Sequence, residues 1–307
     1  ASIPFLAVYN AGAAMYRAMG DSKTPMLMSL AMNGLNIMGN GILLYGLGWG
    51  VEGAAVPTTL SRAFAGIWML SLIRNKKKVL HARTILGIRF HWKVLKKILH
   101  LGIPYSLENS MFQLGKIMVL SLVSGFGTSS IAANAVANSV TNFAVLGGTS
   151  MGYALSAVSA QCVGAGDYKQ VRYYTRRIVG FSYFSLIVLN IIIVLALPVI
   201  TAVYNLTPET SALVRQIIIY HGICAVFIWA LSFTLPNTLR AANDVNFCMW
   251  VSIASMWIFR IAFSFVLAKF LGLGVFGVWV AMTIDWLVRA VIFVSRYRGT
   301  KWQFKKA

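Results

Sequence analysis

The sequence predicts an all-α, polytopic membrane protein with a two-bundle, parallel-repeat transporter fold, and three observations carry that expectation. The composition is 58% hydrophobic and 11% charged with a mean hydropathy of +0.73, against roughly 45–50% and about 25% in soluble domains. Apolar runs of bilayer-spanning length, about 20 residues each, recur along the whole chain. Basic residues gather in alternate connectors between those runs, as they do when Lys and Arg are retained on the cytoplasmic side. A water-soluble fold is excluded. The 27 Lys and Arg against 7 Asp and Glu, net charge +20, then indicate a membrane surface as partner rather than nucleic acid.

Taken in order, residues 1–19 open in mid-helix without a basic leader or a small-residue cleavage site, so they read as the tail of a truncated span and not as a signal peptide. Eight full runs follow, near Met26–Leu47, Val51–Ile73, Ile98–Gly125, Ser130–Val163, Ile178–Tyr204, Ala212–Leu235, Phe247–Leu271 and Val275–Val294. The connectors carrying Arg17 and Lys23, Arg74 to Lys97, Lys169 to Arg177, Arg240, and Arg296 to Lys306 hold most of the 27 basic residues. The intervening connectors are short Gly- or Pro-bearing turns, placed outside, and the C-terminus is placed in the cytoplasm. His91–His100 puts Trp92, Leu95 and Leu99 on one face and Lys93, Lys96, Lys97 and His100 largely on others, the pattern of an interfacial amphipathic helix. The domain expectation is therefore 1–74 as the end of a first six-helix bundle, 75–97 as a cytoplasmic linker, 98–296 as a second bundle and 297–307 as a basic tail.

The chain repeats itself. Arg17-Ala-Met-Gly-Asp21 recurs as Arg240-Ala-Ala-Asn-Asp244, an offset of 223, and Gly50-Val-Glu-Gly53 recurs as Gly274-Val-Phe-Gly277, an offset of 224. An even number of spans separates the copies, so they point the same way, as in parallel-repeat transporters. Projecting the offset back from the second bundle places the start of the first about 120 residues before residue 1, which implies twelve spans in two six-helix halves. On this expectation the chain is N-terminally truncated, with eight full spans and one partial.

Arg-Ala-x-x-Asp after a Pro-containing helix, Gly102-Ile-Pro104, Gln161-x-x-Gly-Ala-Gly-Asp167 and Gly274-Val-Phe-Gly-Val-Trp279 resemble the multidrug and toxic compound extrusion (MATE) family of cation-coupled efflux transporters. The resemblance runs from the fourth helix of that fold to beyond the twelfth. It implies export of organic cations and other amphipathic compounds in exchange for protons or sodium. Many members of that family have a coupling carboxylate on the first helix, which this sequence does not include. Some also have Glu eight residues after the Gly-x-Pro proline, where this chain has Phe112.

Only two of the seven acidic residues, Glu108 and Asp285, fall well inside spans, and an intramembrane carboxylate is costly unless paired or facing water. Glu108 with Asn109, Gln113 and Lys116 forms a polar stripe at helical spacing. Glu108 is a candidate for binding ion or substrate, the alternative being a hydrogen-bonded structural site or a water-exposed position near the cytoplasmic mouth. Asp285 and Arg289, with Arg260 on the preceding span, read as a structural charge cluster or a coupling site, the nearby Arg289 favouring an ionised Asp285. His221 titrates in a range suited to proton coupling, and a structural hydrogen-bond donor is the alternative. Asn134 and Asn138, continued by Asn142, keep one face and suit either interhelical hydrogen bonds or a cavity lining.

Cys162, Cys224 and Cys248 lie in or beside apolar runs with no C-x-x-C spacing, so neither a disulfide framework nor a zinc site is expected. No nucleophile elbow, H-E-x-x-H or phosphate loop is present, so the expectation is a non-enzyme without cofactor, drawing on a proton or sodium gradient. The functional expectation is a secondary antiporter of the plasma (inner) membrane, monomeric when full length, exporting small amphipathic and cationic compounds. Its rivals are a lipid-linked oligosaccharide flippase of related fold, which should line its cavity with many more basic groups than Lys116 and Arg260, and an inactive fragment or scaffold.

Overall fold

The computed structural model describes residues 2–74 and 91–303. The basic stretch with Lys76, Lys77, Lys78, Arg83 and Arg89, and the final Lys305 and Lys306, lie outside the described residues. The chain divides into two compact units, residues 1–91 and 92–307.

The first unit holds α1 (Ile3–Ala18), α2 (Lys23–Gly46) and α3 (Val51–Ile73). Its core is Tyr9, Ala13 and Tyr16 of α1 against Met28 of α2 and Ala65 and Met69 of α3. Close approach of α1 to α3 depends on Gly66, where an added Cβ would stand 2.9 Å from the Phe5 carbonyl oxygen. The buried hydroxyls are satisfied across helices, Tyr9 donating to Pro25 O and Tyr16 to Leu72 O, each at 3.0 Å. Asn36 donates to Thr58 on α3 at 3.0 Å, an interhelical bond, and accepts from Asn40 on its own helix at 3.1 Å.

The second unit holds α4 (Trp92–Ser124), α5 (Thr128–Ala144), α6 (Leu146–Gly164), α7 (Tyr168–Val203), α8 (Pro208–Ala241), α9 (Val245–Phe270) and α10 (Gly274–Arg298). Its central helix is α10, which packs on α4, α5, α8 and α9 and buries Val278, Trp279, Met282, Trp286 and Phe293. The outer faces are apolar instead: Ile191, Ile192, Leu195, Val199 and Val203 of α7 are all exposed. Such a surface would be an aggregation liability in water and is the ordinary lipid-facing surface of a spanning helix.

Two expectations are corrected. The run near Ser130–Val163 is not one straight span: α5 and α6 meet at Val145 with a bend of 46°. Gly147 and Gly148 explain the break, because Cβ atoms there would lie 2.7 Å from Ser185 on α7 and 2.4 Å from the Trp229 ring on α8. Two adjacent glycines admit the neighbouring helices but weaken the helix that carries them. The amphipathic segment is not a separate helix, since α4 runs unbroken from Trp92. By length and apolarity six helices suffice to span, and α5 with α6 makes a seventh. The eighth expected run is occupied by α4, whose 33 residues suffice in length and whose Glu108, Asn109, Gln113 and Lys116 lower its apolarity.

The repeat is visible in backbone geometry. Gly20 and Asn243 both adopt positive φ, +81° and +65°. The N–H two residues into each turn returns to the helix it leaves, Asp21 N to Tyr16 O and Asp244 N to Leu239 O, both 3.0 Å, the pattern of a Schellman stop. At the other turn, Gly48 and Gly272 have φ of +65° and +68°, and both α2 and α9 end in widened π-type turns, Gly41–Gly46 and Val266–Phe270. There Leu47 N reaches Ile42 O at 2.9 Å and Leu271 N reaches Val266 O at 3.0 Å, the same bond at an offset of 224.

A third copy of the first stop closes α6, with Gly166 at φ +73° and Asp167 N bonded to Cys162 O. The Asp167 carboxylate then caps α7 by accepting from Gln170 N at 3.0 Å, as Asp21 accepts from Thr24 N at 3.1 Å to cap α2. Because Asn243 is the one non-glycine among these three stops, replacing it tests the backbone requirement. Asn243→Gly should leave thermal unfolding in detergent nearly unchanged, whereas Asn243→Ala should cost roughly 1–2 kcal/mol. Equal stability of the two variants would show that the turn does not need the left-handed conformation.

Candidate functional site

Two cavities in the second unit are lined in part by α4, one of them by Phe112 and the other by Lys116. The larger, ≈ 250 Å³, is walled by α4, α6 and α8 and touched by Arg289 of α10, and its lining includes Tyr105, Glu108, Asn109, Phe112, Trp229 and Phe233. The smaller, ≈ 180 Å³, lies among α4, α5, α9 and α10 and is lined by Lys116, Asn134, Asn138, Arg260, Trp279 and apolar neighbours. Lys116 is eight residues beyond Glu108 on the same helix, about 12 Å along the axis.

Glu108 does not work within a stripe of its own helix. Its Oε1 accepts from Arg240 Nη2 at 2.6 Å, tying α4 to the end of α8, while Arg240 also lies 5.5 Å from the Tyr105 ring centroid. Its other carboxylate oxygen is buried and has no hydrogen-bond partner among the described residues. Asn109 turns back to Tyr105 O at 2.8 Å. Gln113 is exposed and lines neither cavity. The polar stripe is therefore divided, Glu108 and Asn109 at one cavity and Lys116 at the other.

Asp285 is fully buried on α10, with its Oδ1 accepting from Arg289 Nε at 2.9 Å and from Ser255 Oγ at 2.6 Å. Arg260 stands near this pair and within electrostatic reach of both its members but makes no ion pair among the described residues. Instead three cations surround one ring: Lys116 and Arg260 each stand 5.1 Å, and Arg289 5.9 Å, from the Phe112 centroid. A ring face attracts cations through its quadrupole, which partly offsets their mutual repulsion.

Asn134 accepts from Trp279 Nε1 at 3.2 Å and from Asn138 Nδ2 at 3.1 Å, which joins α5 to α10. His221 lines neither cavity; it is buried edge-on between Trp279 and Trp286, with ring centroids 5.6 and 5.3 Å away. Sequence reasoning gave Arg240 no role beyond the repeat and Phe112 only an absence. The intramembrane position of Tyr105, Trp229 and Phe233 gave no signal that would separate them from the many other aromatics.

A family model described as MatE matches residues 104–266, more than half of the chain. The chain belongs to the MATE family. Two curated relatives agree: a "Probable multidrug resistance protein NorM" of Thermotoga maritima and a "Probable multidrug resistance protein YoeA" of Bacillus subtilis are each 26% identical over 97% of this chain. The chain spans 64% and 65% of their respective lengths. Among solved structures, an outward-facing multidrug resistance MATE transporter of the MOP superfamily superposes with a TM-score of 0.87 at 19% identity, covering 97% of this chain and 67% of that one. A MOP superfamily transporter from Pyrococcus furiosus, described as having a binding pocket of reverse polarity, has the same TM-score, identity and coverage. This MATE chain is accordingly a multi-pass, all-α membrane protein whose named relatives are transporters.

Proposed function

We propose that this MATE protein is a secondary exporter of small amphipathic compounds, driven by a proton or sodium gradient in the plasma (inner) membrane, with its C-terminus cytoplasmic. It moves substrate by alternating access of two six-helix halves. The observation that carries the reading is the Glu108–Arg240 pair at the mouth of an aromatic cavity. A proton or sodium ion on the carboxylate would compete with Arg240, so cation binding and the position of Arg240 are linked. Such a link couples an ion gradient to conformation only if the two access states differ in affinity for the ion.

The test is dye uptake into everted vesicles under an imposed pH or sodium gradient. Glu108→Gln should lower gradient-driven uptake at least tenfold while expression and elution as a folded species are retained. Uptake unchanged in Glu108→Gln would remove Glu108 from coupling, and uptake by the unmodified protein that ignores both gradients would sink the exporter reading.

A further inference from the structure

We infer that the smaller cavity is an anion subsite, taking the sulfonate, carboxylate or phosphate head of an organic amphiphile, so that substrates of this protein carry negative charge. The inference rests on the exporter reading and narrows its substrate class. Three groups face that cavity with donors. Lys116 contributes an ammonium from α4 and Arg260 a guanidinium from α9. Asn134 contributes its amide N–H₂, because its oxygen is already taken by Trp279 and Asn138. No Asp or Glu lines the cavity among the described residues.

Arg260 is the decisive group. It is 8% exposed, and its guanidinium has neither an ion pair nor a side-chain hydrogen bond among the described residues. The nearby carboxylate, Asp285, gives its Oδ1 to Arg289 and Ser255 and forms no ion pair with Arg260, its Oδ2 remaining buried without a hydrogen-bond partner among the described residues. A guanidinium does not shed its proton in a protein, and a buried unpaired charge is strongly unfavourable. Among the described residues Asp285 is the one carboxylate paired with any of the three cations Lys116, Arg260 and Arg289 that face this ring, and a bound anion supplies the remaining counter-charge. A volume of ≈ 180 Å³ is below the usual drug-pocket range of about 300–1,000 Å³, which suits a head group with the start of its apolar body along Val119, Leu120 and Met282.

The test is calorimetric titration of the purified protein in neutral detergent with two probes of one ring system, naphthalene-2-sulfonate and trimethyl(2-naphthyl)ammonium. The sulfonate should bind at least tenfold more tightly than its cationic twin. That preference should vanish in Lys116→Gln, an exposed position where the fold is retained, and in Arg260→Gln. Equal or reversed affinities, or sulfonate binding unaltered by Lys116→Gln, would overturn the inference. Inorganic phosphate competing as well as the sulfonate would overturn the organic part and leave a small-anion site. Gradient-driven flux without any anion preference would defeat this inference alone. Sulfonate binding without gradient-driven flux would defeat the exporter reading alone.

Discussion

Arg289→Met is expected to destabilise the protein by about 3–5 kcal/mol, because it leaves a fully buried carboxylate without its counter-ion. Asp285 is 0% exposed and Arg289 3%, and the two are one turn apart on the helix at the centre of the second unit. In the variant, Asp285 would keep only the Ser255 hydroxyl at 2.6 Å. Methionine fills much of the arginine's volume, so the loss reports charge rather than a void. The double variant Asp285→Asn/Arg289→Met should recover most of the stability, since removing both charges of a buried pair is far less costly than removing one. Thermal unfolding in detergent of the two single variants and the double gives the coupling directly. A single variant within about 1 kcal/mol of the parent would show that Asp285 finds another partner or takes up a proton at little cost.

Gly277→Val should be nearly as damaging, for a reason of backbone geometry. A Cβ at Gly277 would stand 2.9 Å from Ala268 N, 2.9 Å from Leu267 C and 3.0 Å from Leu267 O. All three are main-chain atoms of the preceding span, which cannot rotate aside as a side chain would. Overpacking typically costs about 1–3 kcal/mol, and the branched valine should reach the upper end, with alanine below it. Gly180 is the control: it lies inside α7 with nothing within 4 Å of its added Cβ. Gly180→Ala should be neutral or stabilising, by up to about 1 kcal/mol, through helix propensity. Comparable losses at both glycines would mean that helix packing is not what position 277 enforces. In the first unit a Cβ at Gly53 would stand 2.9 Å from Trp49 Cβ, 3.3 Å from Leu44 Cδ2 and 3.4 Å from Leu43 C, so the close helix start recurs there.

How much of the site was legible in sequence differs from residue to residue. Asp285 and Arg289 are four apart on one helix, so their pairing follows from helical periodicity. Glu108 and Arg240 are 132 residues apart, and no local pattern joins them. Asn134 and Asn138 read correctly as one face, but the bond from Trp279, 145 positions away, is what fixes which end of the amide meets the cavity. His221, singled out by its residue type alone, lies between Trp279 and Trp286, which sequence spacing did not indicate. The bend at Val145 was hidden because hydropathy counts apolar length and is blind to the two glycines that let α7 and α8 approach.

The sequence by itself determined the membrane class, the alternating basic connectors, the repeated turns and the family. Each of these is a property of composition or of short runs, where lipid, water and backbone act on neighbouring residues. Only the tertiary structure decided which charges stand together, because Lys116, Arg260 and Arg289 come from three helices and meet at one ring. Electrostatic energy depends on distance through space and on burial, and neither is written in the order of the residues.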